Sequence, residues 1–103
     1  MYNDAVSRFH HEDYVTAKSL FLKTIQFYDP ELGDNHLAYY YLGKCFMAEY
    51  EANNNKNALA EAIACFEPFN LYNKTKYNIQ SKETKDLIKL CQCRLLNSTL
   101  HLP

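Results

Sequence analysis

Between residues 36 and 66, apolar positions recur at helical spacing twice, with a polar elbow in between. Tyr39, Leu42, Phe46 and Tyr50 share one face of a first helix, and Ala58, Leu59, Ala62, Ile63 and Phe66 share one face of a second. Gly43 sits beside Leu42 on the packing face. Glycine inside a helix costs about 1 kcal/mol against alanine, so its use here predicts a close approach, in which Gly43 and Ala62 face each other or a neighbouring helix. The elbow is Glu51-Ala52-Asn53-Asn54-Asn55-Lys56. Consecutive asparagines tolerate left-handed geometry and suit a helix end followed by the next N-cap. The stretch therefore predicts an antiparallel helical hairpin.

The same periodicity extends in both directions. A short helix is predicted over residues 2–10, with Ala5, Val6 and Phe9 on one side. Asp13 caps a second helix, to about residue 28, with a stripe of Tyr14, Ala17, Leu20, Phe21, Thr24 and Ile25. Pro30 ends it, because a residue before proline is pushed out of the helical region. A turn at Gly33-Asp34 follows, and Asp34 or Asn35 caps the third helix, to about residue 51. The fourth runs over residues 56–67, where Pro68 is expected to stop or kink it. Residues 69–78 are mixed. A last helix over 81–97 is carried by Leu87, Ile88, Cys91 and Leu95, leaving 98–103 as a tail.

Two segments repeat in order. Ala17-Lys18-Ser19-Leu20-Phe21 matches Ala62-Ile63-Ala64-Cys65-Phe66, and Leu42-Gly43-Lys44-Cys45 matches Leu90-Cys91-Gln92-Cys93. Repeats of this size signal paired helices that cannot bury an apolar face alone. With two glycines and three prolines in 103 residues, little of the chain is turn-forming, so the fold class is all-α with about five helices.

These residues resemble the tetratricopeptide-repeat superfamily. Tyr39, Leu42, Gly43 and Phe46 fill its aromatic-x-x-Leu-Gly-x-x-aromatic signature; Ala17 with Phe21 and Ala62 with Phe66 fill the small-x-x-x-aromatic pattern of the second helix. Residues 32–36, following Ala17 to Ile25, are similar to the long repeats of kinesin light chain. The elbow, about seven residues longer than the plain pattern, looks more like the Sel-one-like subfamily. Pro68, Asp4 and Arg8 depart from the pattern. The resemblance implies a short right-handed stack of antiparallel helical hairpins, an α-solenoid, either as one repeat domain over residues 1–103 or as a fragment of a longer array. It also implies a non-catalytic module that binds a peptide or protein segment in a helical groove. A chaperone for secreted substrates, a self-association module and a small helical enzyme are the alternatives. Carried over by register, Tyr40, Lys44 and Met47 line the groove, and Phe9 and His10 extend it.

Composition narrows the rest. The formal net charge is −1 and no basic block stands out, so nucleic acid is not an expected partner. No apolar run approaches the roughly 20 residues that span a bilayer, and the start lacks a basic-then-apolar signal pattern. A cytoplasmic setting is expected, with Cys45, Cys65, Cys91 and Cys93 reduced. Neither a metal nor a cofactor is expected. His10 and His11 diverge by about 100° on a helix, and Cys91-x-Cys93 lacks zinc-ligand spacing. Tyr39, Tyr40 and Tyr41 are consecutive, so a helix cannot bury all three. Tyr40 is expected to be largely exposed as a contact residue. The first helix and the leucines of the last leave both ends apolar, which points to homo-oligomers or missing neighbours.

Overall fold

The computed structural model describes residues 2–27, 36–72 and 78–100. These form five helices and, among the described residues, no strand: α1 (Tyr2–His10), α2 (Tyr14–Phe27), α3 (His36–Asn53), α4 (Lys56–Tyr72) and α5 (Asn78–Leu100). The Pro30 stop, the Gly33-Asp34 turn and the Asp34 or Asn35 cap fall outside the described residues.

The two short elbows follow from their residues. At the end of α1, the Asp13 amide donates to the Arg8 carbonyl (2.9 Å) and the Glu12 amide to the Phe9 carbonyl (3.0 Å), while Glu12 is left-handed (φ 62°). This is a Schellman closure. Asp13 then opens α2: its carboxylate accepts from the Thr16 amide (3.3 Å) and its carbonyl from Ala17 (3.0 Å). At the second elbow Asn54 takes the left-handed position (φ 54°), and the Asn55 side chain accepts from the Asn57 amide (3.1 Å). One asparagine ends a helix and the next caps one, as the sequence predicts. Asparagine tolerates this backbone better than glutamate does. Glu12→Gly is therefore expected to raise stability by up to about 1 kcal/mol, read as a higher denaturation midpoint.

Ring contacts give the helix directions. Tyr2 meets Phe21 and Phe9 meets Tyr14, in opposite order, so α1 and α2 are antiparallel. Phe21 with Tyr41 and Lys18 with Glu49 set α2 against α3 likewise. Tyr40 meets Phe69 and Gly43 meets Phe66 across α3 and α4. Between α3 and α5 the order is preserved: Tyr40 bonds Glu83 and Glu51 bonds Arg94, each pair 43 residues apart, so these helices run parallel.

The core has two centres. One gathers Ala5, Ala17, Phe21, Ala38, Leu42 and Cys45 with Cys65; the other gathers Leu59, Ala62, Phe66 and Cys91, and Phe46 packs against both. Gly43 serves close approach to the neighbouring helix α4, whose Phe66 ring is the nearest group. A Cβ placed there would overlap the ring, with Cδ1 at 2.6 Å and Cζ at 2.8 Å.

Two sequence expectations are corrected. Of the stop or kink expected at Pro68, the stop does not occur, and α4 continues to Tyr72. A proline inside a helix costs about 3 kcal/mol. The next turn offsets this by burying Phe69 completely and by presenting Asn70 to α5, where its Oδ1 accepts from Ser81 (3.1 Å) and Thr84 (2.8 Å). The same bonds anchor the first turns of α5, which begins at Asn78 instead of Ser81. At its other end no glycine or proline interrupts the helix before Leu100, so residues 98–100 are helical rather than a tail.

Candidate functional site

The five residues expected to line a groove sit on α1 and α3, and the structure brings four of them together. On α1, Phe9 is half-buried against Tyr14 (centroids 5.4 Å apart) and Tyr41 (5.0 Å), both edge-on. His10 is exposed, with its ring edge against Phe9 (5.6 Å) and Tyr41 (6.1 Å). On α3, the Lys44 ammonium lies 5.9 Å from the Phe9 ring centroid and 5.1 Å from that of Tyr40, in cation–π range. Met47 is apart from this group. One turn on, it packs partly buried against the core centre around Leu59, Phe66 and Cys91.

Tyr40 is the main departure from expectation: it is 7 % exposed. Of the three consecutive tyrosines, Tyr39 and Tyr41 are the half-open ones. Each step along a helix turns a side chain by about 100°. Tyr40 points to where α4 and α5 meet α3, against the Phe69 ring (5.6 Å). Its hydroxyl donates to Glu83 Oε1 (2.5 Å) and accepts from Lys44 Nζ (3.2 Å), while Lys44 also donates to Glu83 Oε2 (3.1 Å). Burial, then the bond to the Glu83 carboxylate, pushes the Tyr40 hydroxyl well above the usual tyrosine range. Lys44 and Glu83 are about one-third exposed and balance each other, so water screens the pair.

Glu83 and Tyr41 complete this cluster without having been singled out from the sequence. Glu83 lies in the run Lys82-Glu83-Thr84-Lys85, which reads as an ordinary solvated helix face. Its role depends on α5 returning to α3. Tyr41 has no role of its own in the sequence, where Tyr39 is expected on the packing face and Tyr40 in the groove. Its stacking on Phe21 (5.6 Å, 6° between planes) fixes the Phe9 side of the site.

The thiols are mostly inert positions. Cys45, Cys65 and Cys91 are buried, whereas Cys93, expected within an apolar run, is exposed because α5 turns it away from Cys91. All four are unpaired. Burial pushes the Cys45 and Cys65 thiols from 9.0 up to about 12, with a small opposing pull from Lys18 at Cys45 and added repulsion from Glu61 at Cys65. A folded-state pKa above the unfolded one stabilises the fold below the unfolded value and loses that contribution as pH rises. The melting temperature is therefore expected to begin falling above pH 9 and to keep falling to about pH 12. Cys45→Ala with Cys65→Ala should flatten that decline in a pH series of thermal melts.

A second cleft, of about 210 Å³, lies between the start of α2 and the end of α3. It is lined by Asp13, Tyr14 and Cys45, and Lys18 and Glu49 pair across it at 2.6 Å. Among the described residues, no three His, Cys, Asp or Glu side chains converge as a metal site, and no helix is long and apolar enough to cross a membrane. No protein-family model, curated protein sequence or solved structure matches the chain.

Proposed function

We propose that the chain is a non-catalytic protein-interaction module that holds a peptide or protein segment along the face shared by α1 and α3. The observation that carries this is the ring group of Phe9, His10 and Tyr41 beside Lys44, where rings and a cation meet at a partly open surface. Tyrosine and other aromatics are enriched among residues that dominate binding energy. Tyr40 serves as a wall that positions Lys44, and Met47 continues the same side of α3 one turn on, against the second core centre. The strongly raised Tyr40 hydroxyl and Cys45 and Cys65 thiols favour binding over nucleophilic or acid–base chemistry. The antiparallel neighbours and the parallel run of α3 and α5 support an array of helical hairpins, of the tetratricopeptide-like kind, as the frame. A reducing, cytoplasmic setting suits three buried unpaired thiols.

Selection from a displayed peptide library, followed by titration of the selected peptides, tests this. His10 is exposed, so His10→Glu should leave the melt within about 0.5 kcal/mol. It should weaken the selected peptides about tenfold if the ring is an anchor. Peptides that bind His10→Glu and Lys44→Gln as tightly as the parent would remove the α1–α3 face from this reading.

Self-association is a second reading, supported by Ile79 (82 % exposed) and Leu96 (58 %) on α5. Light scattering across a concentration series separates it: a monomer throughout excludes it.

A further inference from the structure

α5 is the longest helix and buries little of itself. Of its described side chains only Thr84 and Cys91 are buried, whereas α4 buries Leu59, Ala62, Phe66, Phe69 and others over 17 residues. An apolar seam of Leu87, Ile88, Cys91 and Leu95 joins the core centre of Leu59, Ala62 and Phe66, against which Met47 and Tyr50 also pack. The rest of what holds α5 is polar. Asn70 ties Ser81 and Thr84 to α4. Towards α3 there are two clamps. Glu83 takes the Tyr40 hydroxyl and Lys44, and Arg94 bonds Glu51 and lies over the Tyr50 ring at 5.5 Å.

The clamps share one register, 43 residues at each end. Eleven residues of helix separate Glu83 from Arg94, a rise of about 16 Å. All four charged partners are about one-third exposed or more, the least being Lys44 at 31 %, so water competes for each pair. A helix held by one seam, the Asn70 bonds and two screened pairs, with only two of its described side chains buried, opens at lower cost than the helices beneath it.

We propose that α5 is an intramolecular occupant of a groove on α3 and α4, and that it opens as a unit while α1–α4 stay folded. The vacated groove takes an amphipathic helix from a partner that carries a carboxylate and, eleven residues later, a guanidinium, with apolar residues between. Tyr40 and Lys44 receive the carboxylate, Glu51 the guanidinium, and Met47, Leu59 and Phe66 the apolar side. This rests on the reading that Tyr40, Lys44 and Met47 belong to a partner-binding surface, and it names the partner's chemistry.

The cysteines of the intact chain report the motion. Cys91 becomes accessible when α5 lifts, Cys45 and Cys65 when α1–α4 open, and exposed Cys93 sets the free rate. Labelling with a soluble alkylating reagent, resolved by peptide mass mapping and normalised to the denatured chain, should modify Cys91 at least about tenfold faster than Cys45 and Cys65. Glu83→Gln with Arg94→Gln should speed Cys91 about tenfold further and leave the other two within about twofold. A synthetic α5 peptide with serine for cysteine should raise Cys91 labelling with its concentration, and the same peptide carrying both glutamine changes should not. Equal protection of Cys91, Cys45 and Cys65 in the unsubstituted chain overturns the proposal whatever the variant does. So does a peptide that leaves Cys91 protected at every concentration. Neither result touches the α1 side, where His10→Glu tests the wider reading separately.

Discussion

Placing a side chain on Gly43 is expected to damage the fold more than its small size suggests. Even the Cβ of alanine would overlap the Phe66 ring, whose Cδ1 lies 2.6 Å from that position, and Phe66 is fully buried and cannot swing away. Overpacking a filled core costs about 1–3 kcal/mol, and Gly43→Leu should reach or exceed the upper end. The gain in helix propensity on leaving glycine, about 1 kcal/mol, is too small to reverse the sign. Denaturant titration checks this. The sharper test is a double-mutant cycle. Phe66→Leu alone should destabilise, yet combined with Gly43→Ala it should lose less than the sum, because the smaller side chain vacates the space that the new methyl needs. Strict additivity would mean that the two residues do not touch.

Tyr40→Ala should cost about 3–5 kcal/mol, the range for a large buried ring. The exposure expected from the sequence would instead have put the change within about 1 kcal/mol. The loss has two parts. One is the cavity beside Phe69. The other is that Lys44 and Glu83 lose the hydroxyl that links them. Tyr40→Phe separates these: it keeps the ring and removes only the bond to a carboxylate, for about 1.5–3 kcal/mol. The order Ala, then Phe, then parent in thermal melts is the expected result. A Tyr40→Phe protein as stable as the parent would show that water replaces the hydroxyl at Glu83.

Much of the local structure could be read from residues alone, and the reasons are short-range. Asp13 and Asn55 cap the helices they precede, Asn54 takes the left-handed position, and Gly43 marks a tight approach, because each follows from the conformational range of one residue. What the sequence hid depends on distant partners. The group nearest Gly43 is the Phe66 ring, and only the angle between α3 and α4 decides which side chain of α4 meets it. Pro68 reads locally as a stop, but Phe69 and Asn70 carry tertiary contacts that outweigh the missing amide. Of the candidate site, Phe9, His10 and Lys44 follow only from the register that the family resemblance implies, since they lie on two helices. Tyr40, which register puts on an open groove face, is buried because α4 and α5 close over it, and Glu83 has no local signal, since its importance arises 43 residues from its partner.

The first elbow has a consequence for how the chain can change length. Surface connections usually accept inserted residues easily. Here Asp13 works twice: its amide closes α1 on the Arg8 carbonyl, and its carboxylate starts α2 at Thr16. One added residue would divide those duties between two positions. It would also slide Tyr14 away from Phe9 and Phe21 away from Tyr2, unzipping both ends of the pair at once. The place between these helices that looks most like a loop is thus among the least able to accommodate an insertion or a deletion.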